Sequence, residues 1–87
     1  MEKQLKILND EGLHARPAAI LVKEANTFTS DIEIEVNGSA TNAKSIMGLM
    51  SLGLKKDATF TLRANGDDAE TAVNTLATLI ENKFNLH

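Results

Sequence analysis

Apolar and polar residues alternate at the start of the chain. In EKQLKIL, residues 2–8, Leu5 and Ile7 fall on one side, the period of a strand with one buried face. Turn formers in NDEGLHA break the pattern. From Pro17 the apolar residues Ala18, Leu21, Val22 and Ala25 recur at i, i+3, i+4 and i+7, which predicts an amphipathic helix. Pro17 is placed as its first residue, where a missing N–H costs nothing. DIEIEV, residues 31–36, sets Ile32, Ile34 and Val36 against Glu33 and Glu35 and predicts a strand with one wet face. Asn37-Gly38 is a hairpin turn signal, with SATNA as the short partner strand. KSIMGLMSLGL predicts a short helix opened by Ser45 and stopped near Gly53. TFTLRA, residues 59–64, alternates again and buries Phe60, Leu62 and Ala64. After an Asn65-Gly66 turn, Asp67 and Glu70 resemble a capping box. Ala69, Val73, Leu76, Ile80 and Phe84 then stripe one face of a last helix.

The predicted order is strand, helix, strand, strand, helix, strand, helix. Strands with one apolar face and helices with one apolar stripe pack as two layers. The expected class is α+β, an open antiparallel sheet with all helices on one face. Its other face, carrying Glu33, Glu35, Thr59, Thr61 and Arg63, is left to water. No linker, repeat or low-complexity segment divides residues 1–87, and one domain is expected. A ferredoxin-like ligand-binding domain shares this element order, and strand connectivity distinguishes the two.

Composition narrows the class. The 87 residues contain no cysteine, so disulfides and thiolate metal sites are unavailable. No apolar run resembles a signal peptide or approaches the roughly 20 residues of a membrane span. Nine basic against twelve acidic residues give a net charge of −3, which argues against a nucleic-acid binder. The only aromatic residues are Phe28, Phe60 and Phe84, too few for a base-stacking platform. A small soluble domain of the cytoplasm is expected.

The candidate chemistry lies in GLHARPAA, residues 12–19. His14 and His87 are the only histidines, and His87, at the last position, is a poor partner. No multi-histidine metal site is possible, and neither metal nor cofactor is expected. Asp10 and Glu11 lie near His14, but no serine there completes a triad. There is no phosphate-binding glycine loop. An autonomous enzyme is therefore not expected. His14 stands before a helix whose first amides have no intrahelical acceptor, and those amides with the helix dipole make an anion site. Arg16 adds a permanent cation suited to phosphate. Such surroundings favour an uncharged, nucleophilic imidazole and then hold the dianion it acquires. Pro17 and the small Ala15, Ala18 and Ala19 keep the site rigid and open to a partner. The plain alternative is a polar loop residue, a solvated arginine and a proline placed for the helix alone. The spacing leaves both readings open.

Ser45 is a preferred helix N-cap, and phosphate added there would sit at the positive end of a helix, with Lys44 beside it to help. The short helix is apolar on two arcs. Leu49 and Leu52 are the core candidates. Ile46, Met47 and Met50 would then form an exposed patch of the kind that marks an interface, for which methionine is well suited; the alternative is a helix buried all round.

GLHARPAA and NAKSIMGLMSLGL together resemble HPr, the histidine-containing phosphocarrier of the bacterial phosphoenolpyruvate–sugar phosphotransferase system, over essentially the whole chain. The resemblance implies an open-faced β-sandwich, a four-stranded antiparallel sheet covered by three helices (βαββαβα). It implies that His14 accepts a phosphoryl group on Nδ1 from enzyme I and passes it to the IIA domains of sugar permeases, with Arg16 steadying the group. It implies that Ser45 is the regulatory serine phosphorylated by HPr kinase/phosphorylase. It also implies that the seryl-phosphorylated form acts as corepressor of a LacI-type catabolite regulator. Ala19, Ile46, Met47 and Met50 match the partner-docking surface of a protein expected to be monomeric. SIMGLMSLG is more similar to Gram-positive members than to enteric ones. Ser39 stands where lysine is common, which puts no function in doubt. The HPr-like regulatory paralogue lacks the active histidine, and His14 disfavours it. A nitrogen-branch carrier matches less well around KSIMGLM.

Overall fold

The computed structural model describes residues 1–85, and His87 lies outside them. Among the described residues the chain forms four strands and three α-helices. These are β1 (Glu2–Lys6), α1 (Ala15–Ala25), β2 (Asp31–Val36), β3 (Ser39–Asn42), α2 (Ile46–Ser51), β4 (Thr59–Asn65) and α3 (Ala69–Glu81). The strands form one antiparallel sheet in the order β1-β4-β2-β3. With β1 at an edge beside β4 only, the ferredoxin-like alternative is set aside. The β2–β3 hairpin closes through Asn37 and Gly38, at φ 52° and 85°, the left-handed pair that matches the twist of the flanking strands.

Alternation along the strands decides which sheet face is buried. Leu5, Ile32, Ile34, Phe60, Leu62 and Ala64 point to one side and are buried. They meet Leu21 and Ala25 of α1, Leu49 of α2, and Val73, Leu76 and Ile80 of α3, which form one apolar cluster with them. Leu52, expected in the core beside Leu49, is only half-buried at its margin. It follows the last residue of α2 and serves as its C-cap.

The open face is polar, as the alternation requires. Arg63 on β4 pairs with Glu2 of β1 (3.0 Å) and with Glu33 (3.3 Å) and Glu35 (2.8 Å) of β2. One guanidinium fork thus ties three strands together.

The last helix departs from expectation at both ends. Its N-cap is Asp68, which makes no capping bond, and the Asp67–Glu70 box does not form. The Asp68 carboxylate reaches back across the fold instead. It accepts the Thr29 and Ser30 amides, each at 2.9 Å, and the Ser30 hydroxyl. The α1–β2 loop thereby satisfies the side chain that the helix start does not use. At the other end α3 stops at Glu81. Phe84 enters the core, 1% exposed, from a left-handed turn in which Lys83, Phe84 and Asn85 have φ of 55°, 60° and 58°. The apolar stripe marked the right residue, but it does not lie on the helix.

Hydrogen bonds from the Ser30 hydroxyl, then the Thr29 and Ser30 amides, lower the pKa of Asp68 from 3.8 to about 2. A depressed carboxylate stabilises the fold fully above its unfolded value and loses that contribution as the pH falls through the folded one. Thermal melts between pH 5 and pH 2 are expected to fall more steeply for the parent protein than for Asp68→Asn. Parallel slopes would contradict this.

Candidate functional site at the start of the first helix

The strand phase of Leu5 and Ile7 continues to Asn9, which is 2% exposed, and the chain then turns. Gly12 makes the turn possible. Its φ is +73°, and a Cβ there would lie 2.5 Å from the Leu54 carbonyl oxygen and 2.9 Å from Lys55 Cα. The loop therefore rests directly on the backbone after α2. The Leu13 amide donates to that Leu54 oxygen at 2.8 Å, and the Leu13 side chain is buried. The Asp10–Lys56 pair (3.1 Å) bridges the same two loops at the surface.

His14 is the N-cap of α1, with extended φ and ψ of −91° and −171°. Its carbonyl accepts the Ala18 amide at 2.8 Å. Its Nδ1 accepts the Ala15 amide at 2.9 Å, so Nδ1 is the unprotonated nitrogen. The helix therefore starts at Ala15, two residues before the expected Pro17. Pro17 still falls in the first turn, where an amide would lack a helical acceptor. The Ala15 amide goes to the ring, Pro17 has none, and Ala18 closes on His14. The Arg16 amide is left without an acceptor among the described residues. The Arg16 side chain is exposed and in no ion pair among them. Imidazole, free amide and the positive end of an 11-residue helix thus share one exposed corner, with Arg16 exposed on the first turn, a setting suited to an anion.

A groove runs from His14 over Leu13, Leu54 and Met50, with Asp10 and Lys56 also among its lining residues. The structure thus joins His14 to the exposed patch through Met50, while Arg16, Ser45 and Met47 do not line the groove. Ile46, Met47 and Met50 are 42%, 82% and 41% exposed, and Ala19 is exposed on α1.

Ser45 caps α2. Asn42 first turns the chain, its carbonyl accepting the Ser45 amide and its side-chain oxygen the Lys44 amide. The Ser45 hydroxyl then accepts the Gly48 amide at 3.1 Å. Lys44, expected to help at Ser45, donates its ammonium to the Phe28 carbonyl at 2.8 Å instead. No group of three or more metal-ligating side chains occurs among the described residues, and no helix there is long and apolar enough to cross a membrane.

Sequence reasoning passed over Asn9 and the Leu54–Lys55 backbone. The signal for Asn9 was a polar residue in the buried phase of a strand. No sequence pattern marks Leu54, whose part is played by its carbonyl.

The open-faced sandwich, four antiparallel strands under three helices, is an architecture that known proteins share. The family model described as the PTS HPr component phosphorylation site matches residues 1–82, and the chain belongs to this HPr family. It is 51% identical over 81 residues, 93% of this chain and 96% of the relative, to the HPr-like protein Crh of Halalkalibacterium halodurans. Among solved structures it is similar to HPr-C-His of Thermoanaerobacter tengcongensis, with 47% identity, a TM-score of 0.95 and coverage of 100% and 98% of the two chains. A phosphocarrier protein HPr of Bacillus anthracis gives 45% identity and a TM-score of 0.88, covering 92% of this chain and 95% of that one.

Removing the Ser45 hydroxyl leaves the Gly48 amide unpaired. Ser45→Ala is expected to cost about 1 kcal/mol, a drop in Tm of roughly 4–8 °C, read by calorimetry. An unchanged Tm would contradict the capping role.

Proposed function

We propose that the protein is a phosphoryl carrier of the phosphotransferase system, taking the group on His14 from phospho-enzyme I and passing it to IIA components of sugar permeases. The observation that carries this reading is the Nδ1 lone pair, held toward the helix start by the Ala15 amide. In the transfer, Nδ1 forms a bond to phosphorus while the donor's bond to phosphorus breaks, its electron pair remaining on the donor. The Ala15 amide, released from the ring, then faces a phosphoryl oxygen, and the Arg16 amide and guanidinium supply further donors. The helix dipole favours the dianion. The protein moves the group and turns over no substrate of its own, so it acts as a carrier in the cytoplasm and not as an autonomous enzyme. In this reading the groove at His14 stays open to partners, and the protein works as a monomer. Ala19, Ile46, Met47 and Met50 receive the partners.

Regulation is proposed at Ser45, with HPr kinase/phosphorylase as the modifying enzyme and a LacI-type catabolite regulator as reader of the modified form. Phosphate there displaces the Gly48 cap and places negative charge beside the apolar docking patch, where it opposes a partner's burial of that surface.

A second reading is favoured by the 51% identity to an HPr-like protein Crh. In it the protein is a regulatory module that docks through α2 while His14 is idle. One assay separates the two. With phosphoenolpyruvate and enzyme I, the carrier gains an acid-labile, alkali-stable phosphate mass that is lost in His14→Ala. Arg16→Ala loads more slowly, roughly tenfold for one charge-assisted hydrogen bond of about 1.5 kcal/mol. Absence of the mass gain, or its persistence in His14→Ala, would sink the carrier reading. Seryl-phosphorylated protein is expected to load His14 more slowly than unmodified protein, and equal stopped-flow rates would remove the regulatory claim.

A further inference from the structure

The amide of Asn9 is buried, yet only half of it is satisfied. Its Nδ2 donates to the Gly12 carbonyl at 2.8 Å, with Glu11 Oε2 at the limit of reach, 3.5 Å. Its Oδ1 has no hydrogen-bond partner among the described residues. Both acceptors lie on the Nδ2 side, which fixes the orientation of the amide. A buried acceptor left unpaired costs at least as much as the donor's single bond returns. The bond to the buried Gly12 carbonyl and the unpaired Oδ1 therefore roughly offset each other, and net stability alone does not account for this side chain.

What the amide supplies is position. The Gly12 amide donates to the Asn9 carbonyl at 3.1 Å, so Asn9 and Gly12 clasp each other across the turn. The peptide unit joining Gly12 to Leu13 is then held at both ends, its oxygen by Asn9 Nδ2 and its N–H by the Leu54 carbonyl. A peptide plane anchored on both sides cannot swing about its flanking torsions, and His14 is the next residue. We infer that Asn9 is a positioning residue for His14: it locks the Gly12–Leu13 peptide and so aims the imidazole and the first amides of α1 at one point. The inference rests on the reading of His14 as the phosphoryl acceptor.

The test compares the parent protein with Asn9→Ala, at a temperature where melting curves show both folded. Loading from phosphoenolpyruvate and enzyme I is measured across carrier concentrations. The maximal rate is expected to fall on the order of 10- to 100-fold, with KM for the carrier nearly unchanged, since the docking patch is untouched. The phosphorylated variant is also expected to hydrolyse at a different rate from the parent when isolated from all partners, because the same donors surround the phosphoryl group. A merely structural asparagine would lower Tm and leave both rates within twofold, and that result overturns the inference while leaving the carrier reading intact. A parent protein that takes up no phosphate overturns both. Where Asn9→Ala does not fold, Asn9→Ser carries the same comparison.

Discussion

The site depends on the contact between two backbones, residues 12–13 lying against residues 54–55. The Leu13 amide bonds to the Leu54 carbonyl, and Gly12 has no side chain to hold the strands of loop apart. That contact joins the segment entering α1 to the segment leaving α2. It places a histidine near the start of one helix beside a methionine near the end of another, forming one groove. Any residue larger than glycine at position 12 would push the two loops apart, and the strained positive φ would oppose it as well.

The rest of the sandwich makes this contact reproducible. Antiparallel pairing fixes where β1 ends and where β4 begins, because Lys6 faces Thr59 in the register. The two loops flanking that pair are then brought together. Beyond the register, the Ile7 amide bonds to the Ala58 carbonyl and the Asp57 amide to the Ile7 carbonyl. The sheet thus continues as a narrow ladder almost to the site. The polar face opposite the helices makes its own contribution through Arg63 on β4, which links the edge strand β1 on one side to β2 on the other.

Much of this was legible in the sequence because it follows from periodicity. Alternation marked Phe60, Leu62, Ile32 and Ile34 as inward, and helical spacing marked Leu21, Leu49 and Val73. Ser45 was recognisable as a cap because a serine before an apolar run has a local partner three residues on. His14 was recognisable as standing at a helix start, although its ring takes the cap itself and so moves the start back to Ala15. What escaped were interactions whose partners are distant in the chain. Asp68 bonds to Thr29 and Ser30, Lys44 to the Phe28 carbonyl, and Gly12 is needed because of Leu54. Phe84 escaped for a different reason: the stripe on α3 predicts which residue is buried, whereas the turn that buries it is left-handed and has no apolar period.

The bond from the Ala15 amide to Nδ1 has a thermodynamic consequence for the helix it caps. The lone pair that secures the first turn of α1 is the one a phosphoryl group would occupy, so the ring can do one or the other. On the proposed carrier reading, helix initiation and loading are linked equilibria, and linkage runs in both directions. Whatever tightens the cap lowers the affinity of the ring for the group, and whatever loosens the first turn raises it. On that reading, a partner pressing on the exposed side of Ala15, Arg16 and Ala19 would act on the chemistry without touching the imidazole.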